Sequence, residues 1–353
     1  MKEEFRISVI IPVYNAANYL QRAVESAVEH DVVKEILLID DGSKDNSVEV
    51  CNRLAQQYPS VKVLRHPNGE NRGSGPTRNL GIQQAAQPFI AFLDSDDVYL
   101  PNRFDAEKQI LTADTDIDGV YGALGVFYFG KNERTDIKQF KEGSLTTLNR
   151  PVDAIDLKWA LLDFIPAGSF SIDALTIKKA AVMECGMFPA LKWHQDTVFI
   201  IKLAFGAKMV AGILHEPVGL RGVHDNNNTS GNRKISFTRE QMYNELIRWT
   251  TSVNMPRAVV HMLRAKQLPF ALNNRNKLGA LLLFIKECMS NKYLRRYSYF
   301  FNPAVDALFP KNLAQLIIRL KEAYYVRIKR WNTDNQSFHK LLRELNHDLT
   351  IKH

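Results

Sequence analysis

Residues 89–97 read Phe89-Ile90-Ala91-Phe92-Leu93-Asp94-Ser95-Asp96-Asp97, five apolar residues that run straight into an acidic cluster. The apolar half has the length and composition of a fully buried strand, and the polar half begins where such a strand would leave the core. Three carboxylates at the end of a buried strand repel one another and are costly unless something positive sits among them. A divalent cation carrying phosphates meets that need, because hard cations take carboxylate oxygens and bridge to diphosphate. A solvated acidic turn capping a helix that starts near Asn102 is the other reading of the same residues.

Upstream, the same grammar repeats. Arg6 to Val13 is a β-branched run ended by a proline, Ile36 to Ile39 a second apolar run that breaks at Asp40-Asp41-Gly42-Ser43, and Val61 to Leu64 a third. Helical signals lie between them. Tyr19 to Glu29 places Leu20, Ala23, Val24, Ala27 and Val28 on one face; Asn46 or Ser47 caps a helix reaching about Tyr58; Pro76 to Ala86 carries its proline near the start. Continuously apolar strands alternating with helices predict an α/β fold with a mostly parallel sheet covered on both faces. Ligands of open α/β sheets bind beyond the carboxyl ends of the strands, so the polar clusters after Val13, Ile39, Leu64 and Leu93 should converge on one crevice. From about residue 115 the pattern is mixed, with an aromatic run Val120 to Phe129 that reads as one strand.

Two of these clusters carry further chemistry. In Asp40-Asp41-Gly42-Ser43, a carboxylate at a strand end suits the ring N–H of a base and Gly42 permits a sharp turn, although the same residues also make an ordinary strand-to-helix turn. In Asn71-Arg72-Gly73-Ser74-Gly75-Pro76-Thr77-Arg78-Asn79, arginines beside glycines ahead of a helix suit an anionic diphosphate. It is not a dinucleotide fingerprint, since Arg78 stands where the third glycine belongs, and it lacks the Gly-Lys-Ser/Thr ending of a P-loop.

Taken together, Pro12-Val13-Tyr14-Asn15, Asp40-Asp41-Gly42-Ser43, Arg78-Asn79-x-Gly81 and Leu93-Asp94-x-Asp96-Asp97 resemble the nucleotide-diphospho-sugar half of glycosyltransferase family 2. The resemblance runs over roughly residues 6–230. In its second half Gly186-Met187-Phe188-Pro189 precedes Trp193-His194-Gln195-Asp196, where the family's Glu-Asp pair has become Gln195-Asp196, and Arg221-Gly222-Val223-His224 is similar to the family's Arg-x-x-His segment. The resemblance implies a GT-A fold and an inverting, metal-dependent transferase using a nucleotide sugar, UDP-linked by the family's habit, in bacterial-type surface polysaccharide assembly. It implies that Pro12, Tyr14 and Asn15 line the base and ribose pocket and that Asp41 (or Asp40) meets the uracil. Arg78 would lie by the diphosphate, and Asp94, Ser95 and Asp96 would form the Asp-x-Asp element. Asp96, as the foremost direct ligand, and Asp94 would hold Mn²⁺ or Mg²⁺, with Asp97 behind them or on the sugar; His224 would ligate the metal or touch the diphosphate, unless it is a loop histidine without a role, and Asp196 would be the general base. Trp193 suits stacking on an acceptor sugar, although a core place is the commoner one for tryptophan; His194 suits a structural or acceptor-facing place rather than a catalytic one, and Arg221 suits a diphosphate contact or a salt bridge.

Composition bounds the reading. The 353 residues are 45% hydrophobic and 24% charged, which excludes collagen-like and wholly disordered chains. Three cysteines, Cys51, Cys185 and Cys288, lie too far apart for a disulfide framework or a metal knuckle and favour a cytoplasmic setting. The most apolar short run, Leu278 to Ile285, is far shorter than the roughly 18 residues a bilayer span needs, and Lys2-Glu3-Glu4 does not begin a signal peptide. The net charge of +8 is unevenly spread: residues 1–230 hold 24 Lys+Arg against 30 Asp+Glu, and residues 231–353 hold 22 against 8, a net of +14. A boundary is therefore expected near 230, between a catalytic domain (1–230) and a helical, basic C-terminal region (231–353), just after a polar Asn226 to Ser230 loop whose Asn227 and Asn228 open glycosylation sequons. Within the basic region, Lys311 to Trp331 spaces Leu313, Ile317, Leu320, Tyr324, Ile328 and Trp331 as an amphipathic helix, and Tyr293 to Phe301 adds aromatics and arginines. Such a tail suits peripheral association with the inner face of a plasma membrane, and a glycan or lipid-linked acceptor, or else packing on the catalytic domain. Two rival functions predict other features. A sugar-nucleotide nucleotidyltransferase resembles a Gly-rich, Lys-containing loop after the first strand, where this chain has Pro12-Val13-Tyr14-Asn15. A non-catalytic binder of nucleic acid or another anionic polymer would need a basic groove with interleaved aromatics, and here the crevice segments are acidic, so no nucleic-acid partner is expected.

Overall fold

The computed structural model describes residues 4–128, 143–224, 235–291 and 298–308, with short stretches at 310–311, 314–315, 317–318, 342–347 and 349. The chain divides into two compact units, Met1–Gly231 and Asn232–His353.

In the first unit, β1 (Ile7–Val13), β2 (Val33–Asp40), β3 (Val61–Arg65) and β4 (Phe89–Phe92) pair in parallel in the order β3-β2-β1-β4. Their apolar runs are the central strands because both faces are covered; every residue of Ile7–Ile11 and Leu37–Asp40 is buried. The connecting helices are α1 (Leu20–Val28), α2 (Ser47–Gln57) and α3 (Ser74–Gln84). α1 turns Leu20, Ala23, Val24 and Ala27 inward, the face expected from its spacing. α3 begins two residues before Pro76, which sits in the first turn where a missing N–H costs nothing. Gly81 lets α3 lie flush on the sheet, since a Cβ there would stand 2.6 Å from Ile10 Cγ2 and 2.9 Å from Ile39 Cδ1.

Beyond β4 the sheet turns mixed. The short β5 (Val98–Tyr99) and α4 (Asp105–Ala113) follow, then β6 (Gly119–Tyr121) and β7 (Ala123–Tyr128), and further on α5 (Ala154–Leu161), β8 (Leu175–Lys178), α6 (Lys179–Cys185), α7 (Gln195–Gly206), β9 (Met209–Ala211) and β10 (Pro217–Val223). The main sheet continues β4-β8-β6-β9, with β8 antiparallel to both β4 and β6, while β5-β10-β7 form a second, three-stranded sheet. The helix expected from Asn102 begins at Asp105. The single strand expected over 120–129 is two. Gly122 N–H donates to Ala174 O at 2.8 Å, and a Cβ on Gly122 would come within 3.1 Å of Val218, so the chain leaves the main sheet there and crosses to the second. Residue 129 lies outside the described residues.

The second unit is helical where described: α8 (Ile235–Ser252), α9 (Arg257–Asn273), α10 (Lys277–Ser290) and α11 (Ser298–Leu308). The Asn226–Ser230 loop with its two sequons, most of the Lys311–Trp331 stretch and residues 293–297 lie outside the described residues. Among the described residues no helix is long and apolar enough to cross a membrane.

Candidate active site

Register brings the polar clusters together. Val13 is paired with Asp40 and Asp40 with Arg65, so β1, β2 and β3 end level. Past that edge their loops are tied to each other. Asn15 N–H donates to Ser43 Oγ at 3.1 Å, and Asn15 Oδ1 accepts from Lys44 N–H at 2.7 Å. Asn15 has φ 51°, a conformation its short polar side chain tolerates, and Gly42 has φ 75°. Asp40 is buried, accepting from Ser43 N–H at 3.1 Å and pairing with Arg65 Nε at 3.1 Å. Asp41 is buried too. One of its oxygens accepts from Arg72 N–H at 2.7 Å, the other from Gly73 N–H at 2.9 Å, and His66 Nε2 stands 3.7 Å away. His66 in turn shares a 2.9 Å hydrogen bond with Thr77 Oγ1. Asn15 and Asp41 therefore hold the rim of the crevice together through their own side chains, a job the turn-like sequence did not announce. Tyr14 stands out from the end of β1, half exposed beside Asn15, and Pro12 lies one turn of pleat below it.

The Arg78-Asn79-x-Gly81 segment resolves into three functions. Asn79 clamps the backbone of Phe188, donating to its carbonyl and accepting from its N–H, both at 2.9 Å. Gly81 seats the helix. Arg78 is buried, with its guanidinium 5.5 Å from the Phe188 ring centroid, one nitrogen donating to Asp94 Oδ1 and another to Gln195 Oε1 at 3.3 Å. Burial disfavours the Arg78 cation, but Asp94, Asp173 and Asp196 together outweigh it and raise its pKa. Arg78 thus joins the acidic cluster after β4 to the start of α7, where Gln195 and Asp196 occupy the first turn. Asp196 Oδ1 accepts from Thr197 N–H at 2.7 Å. His194, immediately before α7, is held at φ 61°. Lys192 Nζ lies 5.6 Å over the Trp193 ring.

The acidic cluster is larger than the sequence indicates. Asp94, Ser95 and Asp96 are half-buried and Asp97 is buried. Asp97 Oδ1 accepts from Gly222 N–H at 2.9 Å, which ties the cluster to β10. Asp173, in a single 3-10 turn (Ile172–Ala174) ahead of β8, is buried and its Oδ1 accepts from Asp94 N–H at 3.2 Å. Carboxylate oxygens of Asp94, Asp97 and Asp173 all lie within 4.8 Å of one another. Burial first, then Asp173, Asp96 and Asp94, raise the pKa of Asp97 well above the carboxylate range, with Arg221 opposing. Burial and Asp94 push Asp173 up to about 7 against the pull of Asp97, Arg78 and Arg221. Arg221 donates to Ser171 Oγ at 3.3 Å; burial disfavours its cation, and Asp97, Asp173, Asp94 and Asp196 outweigh that. Asp173 carried no motif; only the antiparallel return of β8 beside β4 brings it in.

His224 is buried at the end of β10, stacked on Tyr19 (ring centroids 4.2 Å apart, 13° between planes), with Nε2 3.1 Å from Asp96 Oδ2. Two neighbouring ligands of an octahedral ion at about 2.0–2.1 Å stand roughly 3 Å apart, so the observed Asp96–His224 separation suits joint ligation of one cation. Carboxylate oxygens suit Mn²⁺ or Mg²⁺, and the described residues whose ligand atoms cluster closely enough for one ion are Asp94, Asp97 and Asp173, a set that shares only Asp94 with the Asp94, Asp96 and His224 expected from the sequence. The electrostatics agree: five carboxylates (Asp94, Asp96, Asp97, Asp173, Asp196) face two arginines, and the crowding is relieved here by the raised pKa values of Asp97 and Asp173, a relief that a bound cation would supply instead.

Residues 8–173 match the family model described as Glycosyl transferase family 2. That stretch is a glycosyltransferase family 2 domain. It is 28% identical over 196 residues to an uncharacterized glycosyltransferase of Haemophilus influenzae, covering 55% of this chain and 70% of that protein. It is 33% identical over 133 residues to the minor teichoic acid biosynthesis protein GgaA of Bacillus subtilis, covering 36% of this chain and 29% of GgaA. The S. aureus TarS 1–349 structure, solved in complex with UDP-GlcNAc, superposes with a TM-score of 0.55 at 16% identity, over 86% of this chain and 79% of that one. The chain therefore has the GT-A fold expected from its motifs: a Rossmann-like sheet between helices, followed by a helical C-terminal region.

Proposed function

We propose that the chain moves a sugar from a nucleotide-diphospho-sugar, with UDP as the nucleotide, to a hydroxyl of a glycan or lipid-linked acceptor in surface polysaccharide assembly, with inversion at the anomeric carbon. The observation that carries this reading is the position of Arg78, a buried cation joining the acidic cluster after β4 to Gln195 and Asp196 at the start of α7. A donor diphosphate needs the cation and the metal-binding carboxylates, an acceptor hydroxyl needs a base, and Arg78 places the two sets next to each other. The TarS complex with UDP-GlcNAc and the likeness to GgaA support the choice of UDP and of a cell-surface product.

The base and ribose lie against Pro12, Tyr14 and the rim that Asn15 and Asp41 hold shut, with Asp41 facing the base. Asp94, Asp96 and His224 would hold Mn²⁺ or Mg²⁺, Ser95 lying between the two carboxylates. The ion, when bound, supplies Lewis-acid stabilisation of the leaving diphosphate. Arg78 binds the same phosphates with a guanidinium already fixed in place, so no reorganisation is needed as charge develops. Asp196 takes the proton of the acceptor hydroxyl. The new oxygen–C1 bond forms as the C1–phosphate oxygen bond breaks, and the electron pair leaves with the nucleoside diphosphate. Gln195 in place of the family's glutamate keeps a hydrogen-bond acceptor for Arg78 without adding a sixth carboxylate to the cluster. Residues 1–230 perform catalysis, and the basic region from 231 on holds the enzyme peripherally at the cytoplasmic face of a membrane.

The test is nucleotide release from a panel of UDP-, GDP- and dTDP-sugars, with Mn²⁺ or with EDTA, using wild type and Asp196→Asn. Release from UDP-sugars only, dependent on metal and lost in the variant, is the expected result. Release that ignores metal or survives the substitution would sink the assignment.

A further inference from the structure

The exposed side of α10 is unlike a soluble helix surface. At 100° per residue, Ala280, Phe284 and Cys288 form one stripe, and it faces inward: Ala280 is buried, and Phe284 and Cys288 pack against Val305 and Ala314. The opposite stripe is Leu278, Leu281, Leu282, Ile285 and Met289, which keep between 38% and 72% of their surface in solvent. An ordinary amphipathic helix would be polar there. Single exposed leucines need no explanation, but five large apolar side chains in one stripe along a 14-residue helix mark an interaction surface.

We propose that this face of α10 docks the protein on a bilayer containing anionic phospholipid. The charge of the sequence that carries it selects that occupant. Residues 275–296 include Lys277, Lys286, Lys292, Arg295 and Arg296, besides Arg275, which pairs with Glu240 at 2.9 Å, against the single acid Glu287, within a region of net charge +14. Lys286 is exposed and lies on α10 next to the apolar stripe. Two copies meeting through this face would bring like charges together, whereas anionic headgroups supply the opposite sign at the level where leucines enter the acyl boundary. Fourteen residues make a helix about 21 Å long, too short for a hydrocarbon core of about 30 Å, so α10 lies in the interface plane. This deepens the peripheral attachment proposed above by naming its element and lipid class, and its test needs neither donor nor acceptor.

Flotation of the full chain with phosphatidylcholine vesicles and with phosphatidylcholine–phosphatidylglycerol vesicles decides it, for wild type and for Leu282→Ser/Ile285→Ser. Wild type should float with the anionic vesicles and release them in high salt. The double variant should lose at least about tenfold in partitioning while keeping its helical circular dichroism and its nucleotide affinity. Should that variant misfold, Leu278→Gln/Met289→Gln, at the two most exposed positions, takes its place with the same expectation. Equal flotation of wild type and variant, or no flotation of wild type with anionic vesicles, overturns the proposal. So does a wild-type dimer that either variant dissociates in light scattering, since a second copy would then cover the face.

Discussion

Replacing Asp173 by asparagine should stabilise the metal-free protein at alkaline pH, although Asp173 lies at the centre of the acidic cluster. Its carboxyl is buried, and burial with Asp94 holds its pKa at about 7 against a usual 3.8. An acid whose folded pKa is raised keeps a proton that the unfolded chain has already released. The native state therefore binds more protons between about pH 4 and about pH 7, and stability falls as pH rises through that window and stays low above it. Three pKa units correspond to a ceiling of about 4 kcal/mol, shared with Asp97, which is raised by the same neighbours. Asparagine removes the charge but leaves an oxygen to accept the Asp94 N–H, and its amide can donate toward Asp97. In EDTA, the wild-type melting temperature should drop from about pH 5 to about pH 8 by several degrees, at roughly 2–4 °C per kcal/mol. Asp173→Asn should flatten that slope and melt higher than wild type at the alkaline end. Mn²⁺ at about pH 8 should raise the melting point of wild type more than that of the variant, because the cation neutralises the same excess charge. Differential scanning fluorimetry across pH reads all of this. Parallel pH curves for the two proteins, or a variant that melts lower at about pH 8, would refute the charge-excess reasoning.

Three further outcomes follow from the same geometry. Gly42→Ala forces a Cβ to 2.7 Å from Gly69 O and 2.9 Å from Asn71 N at a φ of +75°, which should cost about 2–4 kcal/mol in denaturant unfolding from strain and overpacking; it should also weaken nucleotide binding by displacing the loop that Asp41 holds. Asp196→Asn should lower kcat by about 10²- to 10⁴-fold with little change in donor KM, as loss of a general base does; an equal fall in donor affinity would place Asp196 in binding instead. His224→Ala should raise the Mn²⁺ concentration needed for half-maximal rate by roughly tenfold or more, whereas Tyr19→Phe, which keeps the stacked ring, should leave it near wild type.

Which parts were legible in the sequence follows from how local each signal is. The strands β1 to β4 are continuous apolar runs broken by Asp, Gly, Ser and Asn, so their existence, parallel order and shared loop edge could be read directly, as could the acidic cluster at the end of β4. The aromatic run after residue 119 misled because its composition is strand-like throughout; its division at Gly122 depends on Val218 and Ala174, distant in sequence. Asp173 could not be found because an isolated Ser-Ile-Asp has no periodicity, and only the pairing of β8 with β4 brings it under Asp94. The stacking of Tyr19 on His224 is equally remote. Leu278 to Ile285 stands out in sequence only as an apolar run too short to span a bilayer; that half of it faces solvent is visible only once Ala280, Phe284 and Cys288 are seen to take the inward positions.

The loops at the carboxyl ends of β1, β2 and β4 should bind a nucleoside diphosphate together with a divalent cation. Thermal protection by UDP, GDP, dTDP and CDP, each with and without Mn²⁺, on wild type and Asp96→Ala, tests it most directly. A ligand at a hundred times its dissociation constant adds about 2.7 kcal/mol. UDP should give that protection only with Mn²⁺ and only in wild type. Protection by none of the nucleotides, or equal protection of Asp96→Ala, would mean that these loops do not form a metal-dependent nucleotide site.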